Sequence, residues 1–292
     1  MNQVTAPEIH EFSFTQKDFD AIRTLIYDHA GIKLGENKKP MVYSRLARRL
    51  RATGLTSFQD YLLLLERDAG QEWEAFVNSL TTNLTSFFRE AHHFPILAAH
   101  VRGLGSKRPL RIWCSASSTG EEPYTIAMTL ADAFGSLTPP ASILATDIDT
   151  NVLQTAQAGI YPLERLEKLP EDLVQRFFLK GTGHREGYAK IRHELRGLVH
   201  FQRLNLLDER WDIRGPFDAI FCRNVMIYFD KDTQRKILEK FAPLLEPHGL
   251  LFAGHSESFF HATDLFKLRG KTVYELTQGA RAVLPHRHAG AG

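Results

Sequence analysis

The 292-residue chain has only two cysteines, Cys114 and Cys222. Each lies in an apolar, strand-like run, so both read as small core residues, not as a disulfide or a thiol nucleophile. There is no N-terminal signal stretch and no long apolar span, which makes the cytoplasm the expected location. The formal charge is only +2, too weak by itself to imply nucleic acid. None of the 13 histidines shows metal-ligand spacing, and the rings of the adjacent pair His92-His93 would point different ways on a helix, so no metal is expected. The full glycine fingerprint of dinucleotide-binding turns is missing, which argues against a nicotinamide enzyme. What remains is an ordinary globular composition, 43% apolar and 24% charged, at a length that suggests about two domains.

Residues 1–14 read as a loose polar lead-in. From about Thr15 the pattern is helical, with Phe19, Ile22, Leu25 and Ile26 on one face and Gly31 as the stop. A second helix over roughly 38–53 has an apolar stripe of Val42, Leu46 and Leu50. Arg45, Arg48 and Arg49 fall on its other side and form a candidate basic face, for which a merely solvated surface is the alternative. Two further helices are marked by Phe58, Tyr61, Leu62 and Leu65 and by Trp73, Phe76, Val77 and Leu80. Residues 15–80 are therefore an all-helical domain, and 81–109 a linker with a helix.

From Leu110 the character changes. Short apolar runs at 110–116, 142–146, 199–201, 217–222 and 250–253 alternate with helical stretches at 122–134, 149–157 and 232–245. That alternation predicts an α/β domain over 110–278, with a Rossmann-like parallel sheet covered on both faces. Such sheets bind ligands at the carboxyl ends of their strands, where Ser115, Asp147, Asn205 and the pair Arg223-Asn224 stand here. Residues 158–198 are too long for a simple connection and read as a helix near 170–179 followed by an inserted antiparallel β subdomain. The tail over 279–292 reads as disordered.

The segment from Arg111 to Pro123 carries the most chemistry. A strand runs into a turn of Ser, Ala, Thr and Gly, whose small side chains let a ligand approach the backbone. Glu121 and Glu122 stand at the entrance of the next helix, with Pro123 near its first position. The acidic pair would repel a phosphate, so a cofactor with hydroxyls and a positive charge fits better, and S-adenosylmethionine has both. Asp147 can accept both ribose hydroxyls, whereas Asp149 reads as a helix cap. Asn205 and Leu206 follow the third strand, an edge that often contacts adenine, although an Asn there is also an ordinary turn residue. Tyr228, shortly after Arg223-Asn224, reads as part of an active-site edge, with packing under a loop as the alternative. The run Thr81–Arg89 reads as a capped loop or as a lid over the cofactor at a domain junction.

The runs Thr81–Arg89, Ser115–Tyr124, Ala145–Thr150, Gly215–Asp230 and Gly249–Glu257 resemble the bacterial chemotaxis-receptor methyltransferases of the CheR type. The resemblance spans about 15–277. It implies a helical N-terminal domain, an S-adenosylmethionine domain with an inserted β subdomain, and methyl transfer to glutamate side chains of membrane chemoreceptors. It also implies cofactor contacts at Asn83, Thr85, Arg89, Glu122, Asp147, Asn205, Leu206, Arg223 and Asn224, with Glu121 as the alternative to Glu122. Arg89 and Tyr228 match the residues associated with catalysis. Arg45, Arg48 and Arg49 match a basic helix that faces acidic methylation helices. In some members the β subdomain docks a receptor's C-terminal peptide.

A glutamate carboxylate is ionised at neutral pH, so this chemistry needs alignment and a dry site, not a general base. Two rival readings share the fold. A nucleic-acid methyltransferase is disfavoured by the weak charge and by aromatics placed on core faces, and a non-enzymatic adaptor by the intact Asn83, Asp147, Asn224 and Tyr228.

Overall fold

The computed structural model describes residues 11–67, 70–105 and 108–283. They form two compact units, one up to Thr82 and one from Asn83 onward.

The first unit is a four-helix cluster of α1 (Gln16–Ala30), α2 (Lys39–Thr53), α3 (Phe58–Arg67) and α4 (Gln71–Leu80). A reciprocal cap starts α1: Thr15 Oγ1 accepts from the Asp18 N–H and the Asp18 carboxylate from the Thr15 N–H. Phe19, Ile22 and Ile26 of α1, Val42, Leu46 and Leu50 of α2, Tyr61 of α3 and Phe76 of α4 fill the core. The lead-in is tied down from residue 11 onward, since Phe12 is buried and the Phe14 ring lies 4.5 Å from that of Phe58. Residues 1–10 lie outside the described residues.

The basic face of α2 is narrower than its sequence suggests. Arg45 and Arg49, one turn apart, both reach α4. Arg45 Nη1 donates to the carbonyls of Ser79 and Thr81, which a helix end leaves open. Arg49 donates to both oxygens of Glu72 at 3.0 and 2.7 Å, and the Tyr61 hydroxyl donates to the same carboxylate at 2.7 Å. Arg48 alone of the three is exposed and without a partner among the described residues.

The second unit begins with α5 (His93–Leu104) and continues β1 (Leu110–Cys114), α6 (Glu121–Phe134), β2 (Ala141–Asp147) and α7 (Thr150–Ala158). The insertion holds β3 (Ile160–Pro162), α8 (Glu171–Phe177), β4 (Phe178–Lys180) and β5 (Tyr188–Ile191). After it come α9 (His193–Arg196), β6 (Val199–Arg203), β7 (Phe217–Cys222), α10 (Lys231–Phe241), β8 (Leu245–Ala253), β9 (Phe266–Gly270), β10 (Val273–Leu276) and α11 (Gln278–Val283). The main sheet has the order β6-β2-β1-β7-β8-β10-β9, and the insertion forms a separate antiparallel sheet, β3-β5-β4. The first five strands of the main sheet run parallel. The expected parallel sheet is present, and the antiparallel pair β10 and β9, which was not among the strands expected from the sequence, makes it mixed.

Successive residues of the central strands feed two apolar layers. Ile112, Cys114, Ala219 and Phe221 join one layer with α5 and α6, while Trp113, Ile220 and Cys222 join the other with α10. Burial on both sides explains why these strands read as unbroken apolar runs. Both cysteines are buried and free, with thiols pushed well above their ordinary range by burial. The expected helix over 232–245 ends at Phe241, because Pro243 cannot continue it and sits in a short 3-10 turn, Ala242–Leu244, that leads into β8. A short helix, Gln278–Val283, covers residues 279–283 where a disordered tail was expected, and 284–292 lie outside the described residues. No helix among the described residues is long and apolar enough to cross a membrane.

Candidate functional site

Parallel strands end on one side of the sheet, so the residues after β1, β2, β6 and β7 gather along one edge. The turn after β1 is fixed from both flanks. The Ser115 N–H donates to the Phe221 carbonyl of β7 at 2.8 Å, and the Ser117 N–H to the Thr146 carbonyl of β2 at 2.9 Å. Gly120 has φ 99°, and a Cβ there would come within 2.7 Å of the Tyr161 hydroxyl and 2.8 Å of Ala156, so only glycine fits. Tyr161 belongs to β3 and donates to the Thr119 carbonyl at 2.8 Å, which seats the inserted subdomain against this turn.

Asp147 ends β2 and is 9% exposed. Its carboxylate accepts from the Ser118 N–H at 2.8 Å and the Asp149 N–H at 3.0 Å. Burial nevertheless pushes its carboxyl up to about 6. Asp149 is the cap of α7, accepting from the N–H groups of Asn151 and Val152. Its other oxygen accepts from Asn83 Nδ2 at 2.8 Å. After β6, Asn205 Oδ1 accepts from the Leu207 N–H at 3.0 Å and shapes the turn, and Leu206 is buried.

The end of β7 is a buried charge cluster. Arg223 donates to Glu122 at 2.5 Å and to the Arg89 carbonyl at 2.5 Å, and its Nη2 lies 3.4 Å from Glu90. Glu122 also accepts from the Cys114 thiol at 3.3 Å. Glu121 turns away, toward Thr119 at 2.6 Å and Arg165 at 3.7 Å, so of the acidic pair Glu122 is the one beside Arg223. Burial raises both carboxyls. Asn224 adopts φ 58°, a left-handed conformation that Asn tolerates better than most residues. Its N–H donates to the buried Glu257, which also accepts from the Gly254 and Ile227 N–H groups.

Residues 83–90 run across this edge. The Asn83 carbonyl accepts from Ser118 Oγ at 3.1 Å, Phe87 packs edge-on against Tyr161 and Phe178, and the Phe88 N–H donates to Thr125 Oγ1. Thr85 is half-buried, and its carbonyl accepts from Arg165 at 3.4 Å. Arg89 spends one donor on the Leu84 carbonyl at 2.8 Å, and its other side-chain N–H groups have no partner among the described residues. The Tyr228 hydroxyl likewise has none. Two bonded groups therefore lie along the edge: Asn83 and Asp147 meet through Ser118 and Asp149, and Arg223, Asn224 and the Arg89 carbonyl meet around Glu90, with Asn205 after β6.

Glu90, His255 and Glu257 were not singled out from the sequence. The available signal was two acids, each inside or directly after a run that resembles the family. Glu90, His92 and His93 also place three possible ligand atoms within 4.8 Å of one another. Glu90 is already committed to Arg223, Asn224 and His255. A cavity of about 320 Å³ lies at the opposite, amino-terminal edge of the sheet, lined by Arg111, Ser142, His200, Gln202, Arg214 and Phe217.

The family profile described as "CheR methyltransferase, SAM binding domain" matches residues 83–275, and "CheR methyltransferase, all-alpha domain" matches 17–81. The chain belongs to the CheR methyltransferase family. Its relatives include "Chemotaxis protein methyltransferase 2" of Pseudomonas aeruginosa, 56% identical over 90% of this chain and 94% of that protein. "Chemotaxis protein methyltransferase" of Escherichia coli is 56% identical over 89% of this chain and 91% of that protein. The "Probable chemotaxis protein methyltransferase" of Rhizobium etli is 40% identical over 87% of this chain and 97% of that protein. The helical domain and the S-adenosylmethionine domain of this family thus coincide closely with the two units of the fold.

Proposed function

We propose that this chain transfers the methyl group of S-adenosylmethionine to glutamate side chains of membrane chemoreceptors, working in the cytoplasm on their methylation helices. The observation that carries the reading is the single edge on which a buried acceptor, Asp147, lies with an arginine and a tyrosine that keep unused donors. The residues fit the cofactor. Asn205 and Leu206 would border adenine, Asp147 would accept ribose hydroxyls, and Asn83, Thr85, Glu122, Arg223 and Asn224 would line the remainder. Bound there, the cofactor supplies an electrophilic methyl group.

The protein's own part is alignment and dryness. Arg89, with most of its fork free, would hold one oxygen of the substrate carboxylate and leave the other to react. Tyr228 would donate a hydrogen bond or shape the wall beside it. Opposite charges are consumed in the transfer, so a water-poor site lowers the barrier relative to water. No group need remove a proton, because the substrate carboxylate is already ionised.

On the helical unit, Arg48 is the exposed cation of the expected receptor face, while Arg45 and Arg49 shape it by fixing α2 on α4. The β subdomain would hold a receptor-tail peptide where the receptor carries one. The test is incubation with labelled S-adenosylmethionine and receptor-bearing membranes. Base-labile label on receptor bands supports a carboxyl methyl ester, whereas base-stable label, or label on RNA or DNA instead, contradicts it.

A further inference from the structure

Glu90 occupies a position that a bland surface glutamate would not. It adopts φ 53° although it is not glycine, and its side chain is only 10% exposed. Its Oε1 accepts from Asn224 Nδ2 at 3.1 Å and lies 2.9 Å from His255 Nδ1. Its Oε2 accepts from the His255 N–H at 3.1 Å and lies 3.4 Å from Arg223 Nη2. Burial opposes ionisation, but the bonds from His255 and Asn224 and the charge of Arg223 outweigh it and bring the carboxyl down to about 2.

An ionised carboxylate only accepts hydrogen bonds. Asn224 must therefore turn its NH₂ toward Glu90, which sends its Oδ1 the other way. The amide cannot swing aside. A Cβ at Gly254 would stand 2.5 Å from Asn224 Nδ2, so the glycine already lies flat against it, and Glu257 holds the Asn224 backbone N–H. Oδ1 accepts no bond among the described residues. It is a fixed acceptor at the end of β7, complementary to an N–H or O–H donor.

We propose that Glu90 is a positioning residue, which sets the Asn224 amide so that its oxygen is offered to a donor group of the bound cofactor. The inference rests on the reading of this edge as the cofactor site. Its consequence is energetic coupling: Glu90 acts on cofactor affinity through Asn224 and not independently.

The test is a double-mutant cycle on the full chain, with affinity for S-adenosylhomocysteine read by isothermal titration and folding checked by melting temperature. Glu90→Ala and Asn224→Ala are each expected to weaken binding about tenfold, and the double variant to bind within about twofold of Asn224→Ala alone. Glu90→Gln, which keeps the shape but turns an N–H₂ toward Arg223 or His255, is expected to weaken binding in the same non-additive way, and it carries the cycle if Glu90→Ala does not fold. Losses that multiply to about a hundredfold would overturn the inference, because Glu90 would then act without Asn224. Normal binding by both Glu90 variants beside a weakened Asn224→Ala would overturn it while leaving the site reading intact. Normal binding by Asn224→Ala would remove the site reading itself, and the inference with it.

Discussion

At the amino ends of β1 and β7, Asp218 is fully buried, and both its oxygens are taken by Arg108 at 2.9 and 2.7 Å and by the Arg111 N–H at 2.9 Å. Arg108 extends the pairing to Glu246 at 2.7 Å. At the carboxyl ends of the same strands, Arg223 is as deeply buried and meets Glu122 and Glu90, but the network around it is left open. The Arg89 donors other than the one on the Leu84 carbonyl, the Tyr228 hydroxyl, Asn224 Oδ1 and the buried Ser117 Oγ have no partners among the described residues. Phe88, Glu90, Ser118 and Asn224 also hold positive φ there, a strain that the amino-terminal edge does not carry among the described residues. Buried charge by itself therefore does not mark a site. What separates the two networks is whether their donors and acceptors are used up, and the open one is where the cofactor is proposed to bind.

That contrast can be broken at either end. Asp218→Ala should cost the most, roughly 1–3 kcal/mol of stability, since it leaves the Arg111 N–H without its acceptor and Arg108 with Glu246 as its only carboxylate partner. Denaturant unfolding should show the loss, while affinity for S-adenosylhomocysteine stays unchanged below the transition. Arg89→Ala should do the reverse: turnover falls at least about tenfold, roughly 1.4 kcal/mol of barrier, with an unaltered unfolding midpoint. Equal turnover in mutant and wild type would remove Arg89 from the reaction.

Asp147 gives a subtler split. Its carboxyl titrates near 6 in the fold, above the ordinary 3.8. The raised value means that the folded state binds the proton more tightly than the unfolded state. This group's contribution to stability therefore improves as pH falls from above 6 toward 4. Protonation also removes an acceptor for ribose, so binding of S-adenosylhomocysteine should weaken by about tenfold between pH 7 and pH 5. Titration calorimetry across that window checks it, and Asp147→Asn should flatten the dependence. The smallest effect concerns the helical unit. Arg48→Ala should weaken receptor binding by about 0.2–1 kcal/mol, and less at high salt, with no change in melting temperature. Arg45→Ala and Arg49→Ala should lower the melting temperature instead.

The parallel core of the sheet was legible because burial on both faces leaves unbroken runs such as Phe217–Cys222. The antiparallel strands β9 and β10 were not. They are five and four residues long, alternate weakly, and pair with a register shift. Asp149 was readable as a cap because capping is local. Glu90 was not readable as a partner of Asn224 and His255, which lie 134 and 165 positions away, because no local pattern announces a bond that only tertiary folding makes. The partners of Arg45 and Arg49 were hidden for the same reason: helical spacing shows that the two share a face, but not that α4 presents Glu72 and open carbonyls to it.

The position of the bound cofactor is the most direct test. A crystal structure of the chain grown with S-adenosylhomocysteine should show the ribose hydroxyls on Asp147, with Asn224 Oδ1 and the Arg89 fork beside the amino-acid end. A nucleoside seated in the cavity at the amino ends of the strands, or an unbroken apo edge at saturating ligand, would contradict it.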